Sequence, residues 1–213
     1  MNLHFDNINF KNTVFRYEDS FEIGPINLKI EKNECIIIQG GNGSGKSTFL
    51  KLLTYLYYPE SGHIRINNKI VNNNNLQSYR ELFSAVFSDF HLFKKLYGSS
   101  NIDEKKINEL LELFELDNKT IFSDNSFSNL NLSQGQKKRL ALLISLVEDR
   151  EILVFDEVAA DQDPSFKKYF YETLIKDLIK KGKTIIIASH DDQYFHTADR
   201  TLKMEFGNFI LDE

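Results

Sequence analysis

The sequence predicts an α/β fold with a mainly parallel sheet, together with an antiparallel β subdomain and a helical subdomain. Continuous apolar runs with the length of buried strands occur at Cys35–Ile38, Ile152–Phe155 and Thr184–Ala188. Segments of helical periodicity separate these runs, and such alternation is typical of a parallel sheet covered by helices. Polar residues follow each run, at the carboxyl ends of the strands where sheets of this kind bind their ligands.

A glycine-rich stretch, Gly40–Thr48, follows the first apolar run and precedes the helical pattern Phe49–Leu53. Its Gly-x4-Gly-Lys-Ser spacing, between a strand and a helix, matches the phosphate-binding P-loop. The backbone N–H groups of the loop and the helix N-terminus would bind an anion. Lys46 would reach the terminal phosphates, and the Ser47 hydroxyl would bind Mg²⁺. The alternative is a flexible glycine loop without a ligand.

Two carboxylates, Asp156 and Glu157, end the second apolar run. Carboxylates at the end of a buried strand are costly unless a positive charge lies nearby, and in a P-loop protein that charge is the Mg²⁺ of the nucleotide. Asp156 would hold the metal, and Glu157 would polarise the attacking water. His190 follows the third run, where it would contact the γ-phosphate. The alternatives are that the two acids only begin a loop and that the histidine has a structural role.

Helix-start patterns mark two further candidate segments. Ser133 and Gln136 match a capping box before the apolar helix Leu140–Val147, and the exposed N-terminus of that helix is itself an anion site. Asp163 is expected to cap another long helix. Tyr17, at the end of a strand, either stacks on an adenine ring or belongs to the core.

The composition argues against several classes of protein. The 213 residues hold 26 Lys and Arg against 31 Asp and Glu, a formal charge of −5, whereas nucleic-acid binders usually carry a basic excess. A single cysteine excludes a disulfide framework, and apolar runs such as Leu140–Val147 are too short to cross a bilayer. Residues 2–10 lack the apolar block of a signal peptide. We therefore expect one cytosolic domain, 1–213, without a nucleic-acid partner.

The remaining patterns complete this domain. Leu3–Phe10 and Phe21–Ile30 predict antiparallel strands beside the P-loop core, with a turn through Glu18–Ser20. Apolar residues at helical spacing predict an amphipathic helix over Ile102–Leu116, with Asp103 as its N-cap. We expect residues 1–76 and 150–213 to form the nucleotide-binding core and residues 77–149 to form the helical subdomain.

In their order along the chain, the P-loop, the Leu132–Gln136 segment, Asp156-Glu157 and His190 resemble the motifs of the ATP-binding cassette family. The resemblance covers essentially the whole chain. It implies Walker A at Gly40–Thr48, Walker B at Ile152–Asp156, the signature motif at Leu132–Gln136, the D-loop at Ala160–Asp163, Glu157 as catalytic base, His190 as switch histidine and Tyr17 as the adenine-stacking aromatic. The residues then expected to be catalytic are Lys46, Glu157 and His190. Those expected to bind ATP are Tyr17, Gly40, Asn42, Gly43, Ser44, Gly45, Lys46, Ser47, Thr48, Ser133, Gly135, Gln136 and Asp163. Those expected to bind Mg²⁺ are Ser47, Asp156 and Ser88.

The family resemblance also implies partners. Family members close as head-to-tail dimers around two ATP molecules, so Ser133 and Gly135 of one copy would contact the γ-phosphate bound by the other. A transmembrane permease domain, in the same chain or in a separate subunit, would place the protein on the cytoplasmic side of a bacterial cell membrane. We expect Phe87–Tyr97 to form part of the groove that docks this domain, the alternative being a packed core segment.

Two positions depart from the family pattern. Ser88 stands where the family usually has the Q-loop glutamine, so that Asp89 or water would have to substitute for that side chain, and Gln134 stands where glycine is commoner. Together with residues 83–93, 159–164 and 190–196, these departures are similar to those of bacterial cyclic-peptide and siderophore exporters of the pyoverdine and syringomycin type. In those proteins a membrane domain usually precedes the cassette. A stand-alone subunit and an excised domain both remain open.

Two other functions compete with an exporter motor. A soluble cassette ATPase would act on DNA, ribosomes or cluster assembly, but no heptad run for a coiled-coil insert separates Lys46 from Ser133, and one cassette is present where translation-type members usually have two. A non-catalytic nucleotide sensor would conflict with the presence of Glu157 and His190.

Overall fold

The computed structural model describes residues 5–17, 21–96 and 103–210. The strands are β1 (Asn7–Tyr17), β2 (Phe21–Glu31), β3 (Cys35–Gln39), β4 (Ser61–Ile66), β5 (Lys69–Ile70), β6 (Phe83–Val86), β7 (Phe122–Ser123), β8 (Ser126–Phe127), β9 (Ile152–Asp156), β10 (Thr184–Ala188), β11 (Arg200–Glu205) and β12 (Asn208–Ile210). The α-helices are α1 (Lys46–Leu53), α2 (Leu76–Arg80), α3 (Glu104–Leu113), α4 (Gln134–Val147), α5 (Pro164–Tyr169) and α6 (Ile175–Lys180). A π-helical segment (Phe170–Leu174) joins α5 to α6, and a 3₁₀ helix spans Asp192–Thr197. The expected turn at Glu18–Ser20, and the expected positions of Leu3, Tyr97 and Ile102, lie outside the described residues.

The central sheet has the strand order β12-β11-β3-β10-β9-β6. All its pairings are parallel except the one between β11 and β12, which is antiparallel. The three continuous apolar runs form the neighbouring strands β3, β10 and β9, which are buried almost throughout because helices and a second sheet cover both faces. The expected α/β class with a mainly parallel sheet is confirmed.

The register of the sheet brings the three expected site segments to one edge. Ala188 at the end of β10 pairs with Ile38 of β3 on one side and with Asp156 of β9 on the other. The residues that leave these strands therefore emerge side by side. This alignment places the P-loop, Glu157 and His190 within reach of one another.

Each face of the central sheet has its own apolar core, because successive strand residues point to opposite sides. On one face, Ile37 and Phe155 pack with side chains of α3, α4 and α5. On the other face, Ile38 and Val154 pack with α1 and with the antiparallel sheet, whose strand order is β2-β1-β4-β5. The expected antiparallel strands beside the P-loop core are thus present.

Several elements were not predicted from the sequence. Strand β6 pairs with β9 at the edge of the central sheet, helix α2 precedes it, β7 and β8 form a hairpin, and a 3₁₀ helix follows His190. Strand β6 falls within residues 77–149, so this segment contributes one strand to the central sheet; the subdomain division itself stays a prediction.

Among the described residues, no helix combines the length and apolar character needed to span a membrane.

Candidate nucleotide site

The P-loop curls between β3 and α1 around a cavity of about 440 Å³. Three of its glycines have positive φ, which other residues rarely adopt: at Gly40 (φ 154°) a Cβ would lie 2.2 Å from the Met204 carbonyl oxygen, and Gly45 (φ 110°) is the N-cap of α1. The cavity is lined by Phe21, Asn42, Gly43, Ser44, Gly45, Lys46, Ser47, Thr48 and Glu157. Seven of the expected nucleotide-binding residues therefore share one concave surface.

The Lys46 ammonium group is buried at the centre of this loop. Its Nζ donates to the carbonyl oxygens of Gly40 (2.8 Å) and Gly41 (3.2 Å), and lies 3.8 Å from Glu157 Oε1. Burial lowers the pKa of Lys46, while the Glu157 and Asp156 carboxylates act in the opposite direction. A bound phosphate would supply a further negative charge, which favours the charged ammonium.

Glu157 and His190 meet beside Lys46. The imidazole Nε2 of His190 lies 3.1 Å from Glu157 Oε1 and 3.1 Å from Lys46 Nζ. Glu157 has φ 55°, in the left-handed region, and its N–H donates to the Ala188 carbonyl at the end of β10 (3.0 Å). The structure thus brings the three expected catalytic residues together, one from each of three segments that are distant in sequence.

Asp156 has the orphaned oxygen expected of a metal ligand. The residue is 1% exposed, its Oδ1 has no hydrogen-bond partner, and its Oδ2 accepts from Ser88 Oγ (3.1 Å) and Ser88 N–H (3.3 Å). No group of three His, Cys, Asp or Glu side chains in the described residues could hold a metal by itself. The donor set fits Mg²⁺, which needs few protein ligands because phosphate and water oxygens complete its shell.

The expected signature residues lie apart from this cavity. Ser133 caps α4 with Gln136 in a reciprocal capping box, with distances of 3.3 and 3.0 Å. Asp163 caps α5 and also accepts from Arg139. None of Ser133, Gly135, Gln136 and Asp163 lines the P-loop cavity. The predicted caps at Ser133 and Asp163 are confirmed, and these four residues do not share the P-loop cavity.

Tyr17 ends β1, 51% exposed, with its ring 6.2 Å from that of Tyr57. It does not line the cavity, whereas Phe21, which the sequence analysis did not select, does. The sequence signal for Phe21 was weak: an aromatic residue that opens the predicted strand Phe21–Ile30. Lys138 and Arg139 of α4 were also missed; both bind the loop that follows β9.

A second cavity, of about 320 Å³, lies beside the described part of the Phe87–Tyr97 segment. Its lining includes Phe90, Leu92, Phe93 and Glu148. Phe93 is 61% exposed, while Phe90 and Leu92 are half-buried against the core. Only one of these three side chains is exposed, which favours the alternative of a packed core segment, and docking at this groove stays a prediction.

Comparison with known proteins points to the same kind of site, one that binds a nucleotide. The ABC transporter family model matches residues 23–160, well over half of the chain. The ATP-binding protein SyrD of Pseudomonas syringae pv. syringae is 44% identical over 214 residues, which cover 96% of this chain and 38% of SyrD. The chain therefore spans less than two fifths of the length of SyrD.

Two solved structures share the fold. A bacterial Atm1-family ABC exporter with ATP bound has a TM-score of 0.81 at 23% identity, over 98% of this chain and 39% of that chain. CbiO1 from Clostridium perfringens, part of the ABC transporter complex cbiONQ, has a TM-score of 0.75 at 28% identity, over 96% of this chain and 86% of that chain.

Fold and site together define a P-loop ATPase domain. The chain belongs to the ATP-binding cassette transporter family, whose ATP-binding domains hydrolyse ATP to power transport. The family resemblance stated from the motifs is confirmed.

Proposed function

We propose that this chain is the ATP-hydrolysing motor of a bacterial exporter of cyclic-peptide or siderophore-like molecules, working on the cytoplasmic face of the membrane. The observation that carries the proposal is the meeting of Lys46, Glu157 and His190 at the edge of the central sheet. The similarity to SyrD supports the choice of exporter class.

The P-loop residues would bind the phosphates of ATP. Gly43 to Thr48 line the cavity, which lies at the N-terminus of α1, and the positive end of that helix favours an anion. Lys46 would exchange its neutral carbonyl acceptors for phosphate oxygens. Tyr17, at the exposed end of β1, would offer its ring face to the adenine.

Ser47, Asp156 and Ser88 would hold Mg²⁺, directly or through water. When bound, the ion neutralises negative charge that develops between the β- and γ-phosphates. The free Oδ1 of Asp156 would be its protein ligand, and Ser88 would orient that carboxylate through Oδ2.

Glu157 would act as the general base. A water oxygen attacks the γ-phosphorus, the bond to the bridging oxygen of ADP breaks, and the water proton passes to the Glu157 carboxylate. His190 and Lys46 would stabilise the negative charge on the γ-phosphate oxygens, since both lie within 3.8 Å of Glu157 Oε1.

Ser133, Gly135, Gln136 and Asp163 would complete the site of a second copy in a head-to-tail homodimer. The N-terminus of α4 is exposed at Ser133 and is itself an anion site. A transmembrane permease domain would dock in the groove beside Phe93. ATP would then close the dimer, and hydrolysis would release it.

The size of the Glu157→Gln variant in solution tests the paired site. Without the base we expect the hydrolysis rate to fall about 10²- to 10⁴-fold, while Mg-ATP is retained and converts monomer to dimer. A second substitution, Ser133→Arg, should abolish the dimer because it crowds the trans contact. Wild-type hydrolysis by Glu157→Gln would contradict the assigned base.

The membrane partner is tested by fractionating bacterial cells that contain the complete transporter. Phe93→Asp should move the ATPase from the membrane to the supernatant, because it places a charge in the groove. Ile70→Asp, at an exposed apolar residue on β5 of the other sheet, is the matched control and should remain bound. Wild-type ATPase in the supernatant would favour a soluble cassette ATPase, and equal retention of both variants on the membrane would remove Phe93 from the docking surface.

A further inference from the structure

Lys138 joins the signature helix to the loop that carries the catalytic base. It lies on α4, five residues after Ser133, and its side chain is 13% exposed. Its Nζ donates to the carbonyl oxygens of Glu157 (3.1 Å) and Ala160 (3.4 Å), and forms an ion pair with Asp161 (3.0 Å). One ammonium group therefore satisfies three acceptors of the same loop.

The loop that Lys138 holds has unusual backbone. Glu157 has φ 55° and Asp161 has φ 62°, a region that residues other than glycine rarely adopt and that costs free energy. The Glu157 N–H donates to the Ala188 carbonyl of β10, and the Glu157 carbonyl accepts from Lys138 Nζ and from the Ala160 N–H (3.1 Å). Because Lys138 also binds the Ala160 carbonyl and the Asp161 carboxylate, a displacement of Lys138 would disturb this whole turn and with it the direction of the Glu157 carboxylate.

A second set of bonds connects the same two segments. Gln162 Nε2 donates to the Gly135 carbonyl (2.9 Å), and Arg139 Nε donates to Gln162 Oε1 (2.8 Å). The contact at Gly135 is close, since a Cβ there would lie 3.1 Å from the Asp161 carbonyl oxygen. The N-terminal turns of α4 and the loop after β9 thus form one bonded unit.

We infer that Lys138 is a positioning residue that couples occupation of the signature motif to the catalytic carboxylate of the same chain. The inference rests on the proposed function, in which a γ-phosphate held by the partner copy docks at Ser133. Lys138 lies only roughly 7.5 Å further along the axis of the same helix. Docking at the helix N-terminus would therefore set the position of Lys138 and, through it, of Glu157.

This coupling has a consequence for the dimer. The base of each copy would be set by the nucleotide that the other copy holds, so hydrolysis at the two sites would be cooperative in ATP. A lysine with a purely structural role would not produce this dependence.

Lys183 provides a matched control within the chain. Its Nζ donates to the carbonyl oxygens of Asp149 (3.0 Å) and Arg150 (2.8 Å) and pairs with the Asp149 carboxylate (2.8 Å), and its side chain is 15% exposed. Lys183 thus makes the same set of bonds as Lys138. It does so at the N-terminal ends of β9 and β10, whereas Lys138 binds the loop at the C-terminal end of β9. Asp149 also has a positive φ, of 52°.

The experiment compares Lys138→Met with Lys183→Met in steady-state ATP hydrolysis, nucleotide binding and thermal unfolding. We expect similar losses of Tm, because each variant loses the same set of bonds. Lys138→Met alone should lower kcat about tenfold to a hundredfold, with unchanged nucleotide affinity and a Hill coefficient reduced to one. Lys138→Arg, which can still donate to both carbonyls, should recover most of the rate.

A double-mutant cycle with Ser133→Ala isolates the coupling. In the Ser133→Ala background, Lys138→Met should lower kcat little further, whereas Lys183→Met should leave it as it is. If Lys138→Met behaves like Lys183→Met while Glu157→Gln and Ser133→Ala lower kcat, only the role of Lys138 is overturned. If Glu157→Gln or Ser133→Ala hydrolyses ATP normally, the proposed paired site is overturned, and this inference with it.

Discussion

His190 Nε2 lies 3.1 Å from Glu157 Oε1 and at the same distance from the ammonium group of Lys46. In a neutral imidazole, Nε2 either donates to the carboxylate or accepts from the ammonium, but it cannot do both. A protonated ring would donate to Glu157 only. When a phosphate enters, Lys46 can therefore bind it instead of His190, while His190 keeps its hydrogen bond to Glu157.

The first prediction follows from this geometry. His190→Ala should lower the single-turnover rate of ATP hydrolysis about 10²-fold or more, because a donor beside the reacting phosphate is lost. Nucleotide affinity should remain unchanged, since the P-loop and Lys46 are intact. The control is His63→Ala on β4 of the antiparallel sheet, which should hydrolyse ATP like wild type. Equal rates for both variants would remove His190 from the catalytic group.

The second prediction concerns Ser88, which stands where the family usually has glutamine. Ser88→Ala removes the hydroxyl donor to Asp156 Oδ2 but leaves the backbone N–H bond. Affinity of the ATP complex for Mn²⁺, measured by paramagnetic resonance, should fall about 10- to 100-fold, as expected for loss of a group that orients a ligand. Binding of metal-free ATP should not change.

Ser84→Ala is the control for this measurement. Ser84 Oγ also bonds a carboxylate, that of Glu148, but it lies in the groove beside Phe93 and away from Asp156. It should leave Mn²⁺ affinity at the wild-type value. An unchanged affinity in Ser88→Ala would mean that the backbone N–H alone orients Asp156.

Sequence patterns predicted the elements whose residues directly reflect their burial or their contacts with near neighbours in the chain. Strands β3, β9 and β10 are continuous apolar runs because both of their faces are covered, and the capping pairs at Ser133 and Asp163 are short-range. Strand β6 was missed because its four residues include Ser84 and Ala85 within an aromatic-rich segment that shows no clear period.

The bonds of Lys138 could not be predicted in the same way. They link residues about 20 positions apart, and they depend on a loop whose carbonyls point inward only because Glu157 and Asp161 have positive φ. No residue pattern signals that conformation, since neither position is glycine. The sequence did predict that Lys46, Asp156 and His190 follow strands, at the carboxyl ends where ligands bind, whereas the strand order and register that bring Lys46, Glu157 and His190 together come from the structure.

The third prediction concerns Cys35, the single cysteine. Its side chain is fully buried in β3, and burial raises the pKa of the thiol to about 12, with smaller effects from Asp199 and Glu34. At pH 8 the thiolate fraction should be roughly 10³-fold below that of a free cysteine, and access is blocked as well. A chromogenic disulfide reagent should therefore react only after denaturant is added. Stoichiometric reaction with the native protein within minutes would contradict this packing.

The fourth prediction is a pH dependence of stability from Asp163. Hydrogen bonds from the Ser165 hydroxyl and the Phe166 N–H, with the nearby Arg139 charge, lower its pKa to about 2. The unfolded chain should titrate near the ordinary value, about 3.9. Since the folded-state pKa is the lower one, the ionised carboxylate stabilises the native state above about pH 4, and this stabilisation is lost as the pH falls towards 2.

Denaturant unfolding of Asp163→Asn at several pH values measures this dependence. The variant keeps an acceptor for the helix cap but has no charge to lose. At pH 7 it should be less stable than wild type, and the difference should shrink between about pH 4 and pH 2. Lys167→Met serves as the control, because it removes an ion pair with Asp191 near the same helix but leaves the cap intact. A stability difference that stays constant down to pH 2 would show that Asp163 acts through its shape rather than its charge.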